Sequence, residues 1–307
     1  NHFQPGRRYQ YYAQFFNELS EEEQTRGIAW AKEHLAARLQ GDTTDIPYMD
    51  HSAFEEQPEY HQPLQQNDKL KVVICPHVVW DNPYANGQFL FEDHWEWLDF
   101  LGKMTLKTDY DWYLKVHPNA EEPDQILFHK LITAYPKIKI LPLSTTGQQL
   151  KEGGVRFVLT VWGTLGHEYP AMGIQVINAG FNPHMAFDFN WNPKTKEEYE
   201  DLLLHLDSLD KKIDMEQVYK FYCIHYLYCF VMDEIDYSFC YESPQLRRKL
   251  RTSPGRRETR RFEEFLAEWT PERHQAILER IGKHVHAMNL YRDEVFMGKD
   301  GTLRGER

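Results

Sequence analysis

The sequence predicts an α/β fold: a doubly wound parallel sheet with helical additions at both ends. Two observations predict it. From Lys71 onward, short β-branched apolar runs alternate with segments of helical periodicity. Within that stretch, Phe157–Gly180 reads as strand, glycine turn, short helix and strand, an order that implies a right-handed crossover. Such a repeat is Rossmann-like, and ligands of these sheets lie beyond the carboxyl ends of the strands.

The elements follow in order. Apolar residues at helical spacing between about Arg7 and Leu39 predict two packed helices, the second opened by Ser20 and the three glutamates behind it. Residues 40–68 are polar, contain Pro47, Pro58 and Pro63, and follow neither period, so they read as a long ordered loop or linker. Val72–Val79 is the first predicted strand, followed by the loop Trp80–Gly87 and a helix over Phe91–Lys107. Trp112–Val116 and Ile138–Leu143 are the second and third strands, with a helix at Asp124–Tyr135 between them and a short one at Thr146–Glu152 after them. Phe157–Val161 and Ile174–Asn178 complete five strands. An aromatic loop (Phe181–Pro193), a helix at Thr195–Leu209, an apolar aromatic helix at Met215–Ile235 and two helices at Phe262–Trp269 and Pro271–Met288 follow. The expected domains are a helical N-terminal segment with linker (1–68), a Rossmann-like domain (69–210) and a C-terminal helical segment (211–307).

At 307 residues with 41% hydrophobic and 14% aromatic content, the chain can bury a full core, and no apolar run approaches the ~20 residues of a membrane span. A formal charge of −12 argues against a general nucleic-acid binder. Cys75, Cys223, Cys229 and Cys240 show no metal or disulfide spacing, which fits a reducing cytoplasm, and no signal-like segment opens the chain at Asn1. Arg247, Arg248, Lys249, Arg251, Arg256 and Arg257 crowd a region with one acid, Glu258. A solvated loop is the plain reading; an anionic polysaccharide, a lipid-linked acceptor, the inner membrane surface or RNA would also be held there by charge.

Gly163 and Gly166 let the backbone turn closely, and the free N–H groups of the helix that starts at Thr164, through His167 and Glu168, favour an anion; a packing role for the glycines is the alternative. The second strand ends in Lys115-Val116-His117-Pro118-Asn119, putting a cation and an imidazole at the ligand-facing end, where His117 either binds a phosphate or closes the strand structurally. Asp81 is the nearest carboxylate to act as a general base, or else a turn residue. Ser144, Thr145 and Thr146 offer hydroxyls to phosphate or base, or an N-cap. Asn178, Asn182 and His184 follow the fifth strand and either touch sugar or base or cap turns. Asp109 and Asp111 have the spacing of a metal cradle but precede a strand, at the wrong end of the sheet.

Lys115-Val116-His117-Pro118, followed by Thr160–Ile177 with its Gly163-Thr164-Leu165-Gly166-His167-Glu168 run, resembles the donor-binding half of GT-B glycosyltransferases of bacterial capsule and surface-polysaccharide biosynthesis. Pro76–Asp81 with Phe91–Trp97 is similar to surface-carbohydrate biosynthesis proteins. The resemblance spans about Lys71 to Leu206. It implies that a CMP-, CDP- or UDP-linked sugar is the substrate, with no cofactor and no required metal. His117 would contact the donor phosphate, Thr164 and Gly166 would sit at the phosphate-binding helix start, and Glu168 would lie near the ribose or orient the loop. It implies a polysaccharide or lipid-linked acceptor, though the acceptor half of a GT-B enzyme is not legible here. A CDP-polyol phosphotransferase, a nucleotide-sugar epimerase and a non-catalytic module holding an anionic polymer are the alternatives.

Overall fold

The computed structural model describes residues 9–42, 62–79, 89–117, 120, 122–229, 270–272 and 275. Asp81, Asn119, the arginine-rich run from Arg247 to Arg257 and the helix expected at 262–269 lie outside the described residues, as does nearly all of that expected at 271–288. The chain divides into two compact units, Asn1–Thr43 with His51–Tyr222, and Thr44–Asp50 with Cys223–Arg307.

The first unit is built on a five-stranded parallel sheet in the order β3-β2-β1-β4-β5. In chain order its elements are α1 (Tyr12–Glu18), α2 (Glu21–Leu39), β1 (Lys71–Cys75), α3 (His94–Lys107), β2 (Asp111–Leu114), α4 (Glu122–Ala134), β3 (Ile138–Ile140), α5 (Gly147–Glu152), β4 (Val155–Thr160), α6 (Leu165–Ala171), β5 (Gln175–Asn178), α7 (Lys196–Leu204) and α8 (Met215–Tyr222). The fold is the expected α/β, Rossmann-like one, and strand order reverses between β1 and β4. Ser20 and Glu23 form the capping box that starts α2. Proline helps set two boundaries differently from expectation: β1 stops at Cys75 because Pro76 has no N–H to donate to a neighbour, and β3 is three residues long with Pro142 just beyond it. Past α8 the chain runs on as a π-helical turn, Cys223–Cys229, in the second unit, where an unbroken helix to Ile235 was expected.

Alternating side chains feed two cores. Val72, Ile74, Trp112, Leu114, Phe157 and Leu159 face α3, α4 and α7, represented by Trp97, Phe128 and Tyr199. Val73, Cys75, Tyr113, Val158 and Val176 face α5 and α6 through Leu150, Tyr169 and Met172. A further layer lies over α6: α8 sets Phe221 against His167 and His184, α1 sets Tyr12 against Phe221, and Leu39 of α2 packs on the α6-side core.

Candidate functional site

The ends of four adjacent strands carry a row of polar residues. Cys75 is level with Thr160, Thr160 with Asn178, and the N–H of Lys115 donates to the carbonyl of Ile74 at 2.9 Å, which sets Lys115 beside Cys75. Since β-strand side chains alternate, each of these follows its strand's α6-side residues: Val73, Tyr113, Val158 and Val176. All four are buried, Lys115 at 8% exposure and Thr160 and Asn178 at 0%. Between this row and the polar residues at the strands' other ends, such as Lys71 and Asp111, the face is lined by Val73, Tyr113, Val158 and Val176.

Lys115 is the costly member. No carboxylate pairs with its ammonium among the described residues, and burial holds its pKa below the usual lysine value, the neighbouring Cys75 opposing that slightly. The same burial raises the Cys75 thiol to about 12, so it stays protonated and is no nucleophile.

Just past the row, the chain leaves β1 through His77 and β2 through His117, whose rings lie 5.8 Å apart between centroids. β4 continues to Trp162 and Gly163, the latter at φ 130°, a conformation that glycine adopts without strain. A Cβ there would meet nothing within 4 Å. Lys115, His117 and the Gly163–Thr164 turn therefore leave the sheet at one end, on the two strands that flank β1 and about 10 Å apart at normal strand spacing. Asp109 and Asp111 lie at the opposite end, bonded to Lys69 and Asn67.

Other expected ligand contacts are used internally. The Glu168 carboxylate accepts from Arg38 Nε at 2.7 Å and from the Thr164 hydroxyl at 3.1 Å, with 1% and 4% of the Arg38 and Glu168 side chains exposed. This removes Glu168 from a ribose-binding role: it clamps α6 to α2. His184 Nδ1 lies 3.2 Å from Asn182 Oδ1, so it donates there, and its Nε2 then accepts from His167 Nδ1 at 3.0 Å. Both rings are 1% exposed, so they too leave the ligand set. Asn178 and Asn182 each donate to Asn192 Oδ1, at 3.0 and 2.9 Å. Thr146 caps α5, its hydroxyl accepting from the N–H of Gln149, so of the two expected roles it takes that of an N-cap. The hydroxyls of Ser144 and Thr145 and Asn178 Oδ1 are buried without a hydrogen-bond partner among the described residues.

Gly166 takes the packing role that was the alternative to phosphate approach: its missing side chain makes room for His184, since an added Cβ would sit 2.3 Å from that ring's Cε1. Gly166→Ala should cost about 1–3 kcal/mol by overpacking, read as a lower midpoint in urea denaturation.

Sequence reasoning missed Arg38, His77, Asn190 and Asn192. For His77 a signal existed, since it follows a strand end as His117 does; nothing local marked Arg38, whose partner lies 130 residues away.

No family model matches the chain, and no curated protein matches it in sequence. Among solved structures it is similar to KpsC of Thermosulfurimonas dismutans, described as a beta Kdo 2,4 transferase, with 13% identity and a TM-score of 0.40. The match covers 66% of this chain and 56% of that one, so this chain spans little more than half the length of that protein.

Proposed function

We propose that the protein is a nucleotide-sugar-dependent glycosyltransferase, or the donor-binding module of one, acting on a surface or capsular polysaccharide acceptor. The observation that carries this is the buried ammonium of Lys115, unpaired by any carboxylate among the described residues, at the rim where strand order reverses. A buried cation is tolerated when an anion completes it, and a nucleotide phosphate is the anion that a sheet rim of this kind takes. In this reading the donor phosphate lies over Lys115, with His117 and His77 donating to its oxygens and the Gly163–Thr164 backbone on the other side. As the glycosidic bond breaks, negative charge grows on the leaving phosphate and these groups stabilise it in place. Asp81 remains the assigned base for the acceptor hydroxyl, and the arginine-rich run remains the surface for an anionic acceptor or membrane.

Calorimetric titration of the full chain with CMP, CDP and UDP tests the reading. At least one should bind, and His117→Ala should weaken it by roughly 10- to 150-fold, the worth of one hydrogen bond to a charged group. Absence of binding by all three, or affinity unchanged in the variant, would overturn the donor site. Product analysis with a donor panel then separates sugar transfer from polyol-phosphate transfer and epimerisation.

A further inference from the structure

We propose that the cleft beside the β5 edge is a saccharide-binding site, separate from the donor rim and recognising a neutral oligosaccharide. The cleft is an open groove with about 660 Å³ of space between the 185–194 segment, α7, Lys211 and Gln217 of α8. That volume lies within the range of small-molecule sites.

Its aromatic wall is fixed by the sheet. Trp191 bridges Ile177 in parallel, extending the sheet past β5, and its indole N–H donates to Gln175 Oε1 at 2.8 Å. Trp191 remains partly exposed and stands with Met185, Ala186, Phe187, Pro193 and Leu202 as the apolar part of the lining. The Lys211 ammonium lies over the ring, 5.1 Å from its centroid, so the exposed part of the indole offers a ligand an apolar edge.

Hydroxyl recognition needs donors and acceptors held in fixed directions, and the lining supplies both. Gln217 Oε1 accepts from the N–H of Asp188 at 2.7 Å, while its amide nitrogen has only a 3.5 Å contact with Asp214. Asn192 repeats the pattern: its Oδ1 accepts from Asn178 and Asn182 at 3.0 and 2.9 Å, and its nitrogen has only a 3.5 Å contact with the Asn190 carbonyl. Each amide is therefore anchored by its oxygen and left with donor capacity, because contacts at that distance are marginal hydrogen bonds. Glu198 and Asp201 add carboxylate acceptors from α7.

Charge selects against acidic ligands. The lining holds Asp188, Glu198 and Asp201 against Lys194 and Lys211. The Lys211 ammonium is already taken by Asp188, by the Asn190 carbonyl at 3.1 Å and by the Trp191 ring, 5.1 Å from its centroid. A polyanion or a nucleotide finds no spare buried cation here, whereas a neutral pyranose chain finds an apolar indole edge, two amide donors and two carboxylates.

Saturation-transfer NMR and calorimetry on the full chain, with tetrasaccharides derived from dextran, cellulose and chitin and with tetragalacturonate as the acidic comparison, test the site. At least one neutral tetrasaccharide should bind more tightly than tetragalacturonate, and the Gln217→Ala/Asp201→Ala pair should weaken it at least tenfold. Trp191→Ala should do the same, and the paired variant covers the case in which loss of the indole disturbs the sheet edge. His117→Ala should leave saccharide binding unchanged, so this site and the donor site fail or stand separately. The proposal is overturned if no tetrasaccharide binds, if the acidic one binds best, or if the paired variant binds as tightly as the parent.

Discussion

Arg38→Met should lower stability by about 3–5 kcal/mol, read as a shift in the urea midpoint, because it strands the Glu168 carboxylate in the interior. Arg38 Nε and Glu168 Oε1 are 2.7 Å apart with 1% and 4% of their side chains exposed, so water cannot replace the guanidinium. The Thr164 hydroxyl, 3.1 Å away on the other carboxylate oxygen, is a neutral donor and compensates little. Combining Arg38→Met with Glu168→Leu should recover most of the loss, since a buried ion pair exchanged for apolar groups of similar size is often neutral. A single-variant cost below about 1 kcal/mol, or a double variant no better than the single, would show that this pair does not clamp α2 to α6.

Lys115→Met should separate ligand binding from folding. Affinity for the nucleotide that binds the parent should fall by roughly 30-fold or more, matching the 2–5 kcal/mol of a lost buried charge partner, while the urea midpoint stays level or rises. The reason is that the ammonium is buried at 8% exposure with no carboxylate beside it among the described residues, so folding has to desolvate it. pH provides a second readout. Burial depresses the folded-state pKa of Lys115 below its ordinary 10.5, so anion affinity should decline as pH rises through that depressed value, when the cation is lost. Stability should move the other way: the depressed pKa of a base means the charged form costs the fold, so that cost disappears as pH climbs from the depressed value to 10.5. Both slopes should be missing in Lys115→Met; if they persist, another group titrates there.

The sheet was legible because its strands are buried on both faces and read as short apolar runs, and because the helices between them keep their own period. Boundaries were harder. Runs such as Val72–Val79 continue in composition past the point where Pro76 ends the pairing. The rim was legible for a similar reason: a lysine and histidine directly behind an apolar strand have few places to be in a parallel sheet. What the sequence withheld was direction. His167 and Glu168 sit in a helix start that favours anions, yet both are buried, facing α8 and α2 through Phe221 and Arg38, contacts set by packing between distant segments. Gly166 is likewise explained by the bulk of His184, 18 residues later in sequence, rather than by backbone strain.

Strand order also bears on how the chain is made. β1 sits in the middle of the sheet, and its register partners start at Asp111 on one side and Val155 on the other. During synthesis the first flank closes well before the second: another 44 residues separate those two positions, roughly 2–9 s of ribosome time at ordinary rates. Through that interval the nascent chain carries Val72, Val73 and Ile74 beside an unfilled edge, the state in which intermolecular strand addition is easiest. Heterologous production should accordingly yield more soluble protein when cooling or added chaperone capacity protects the half-built sheet.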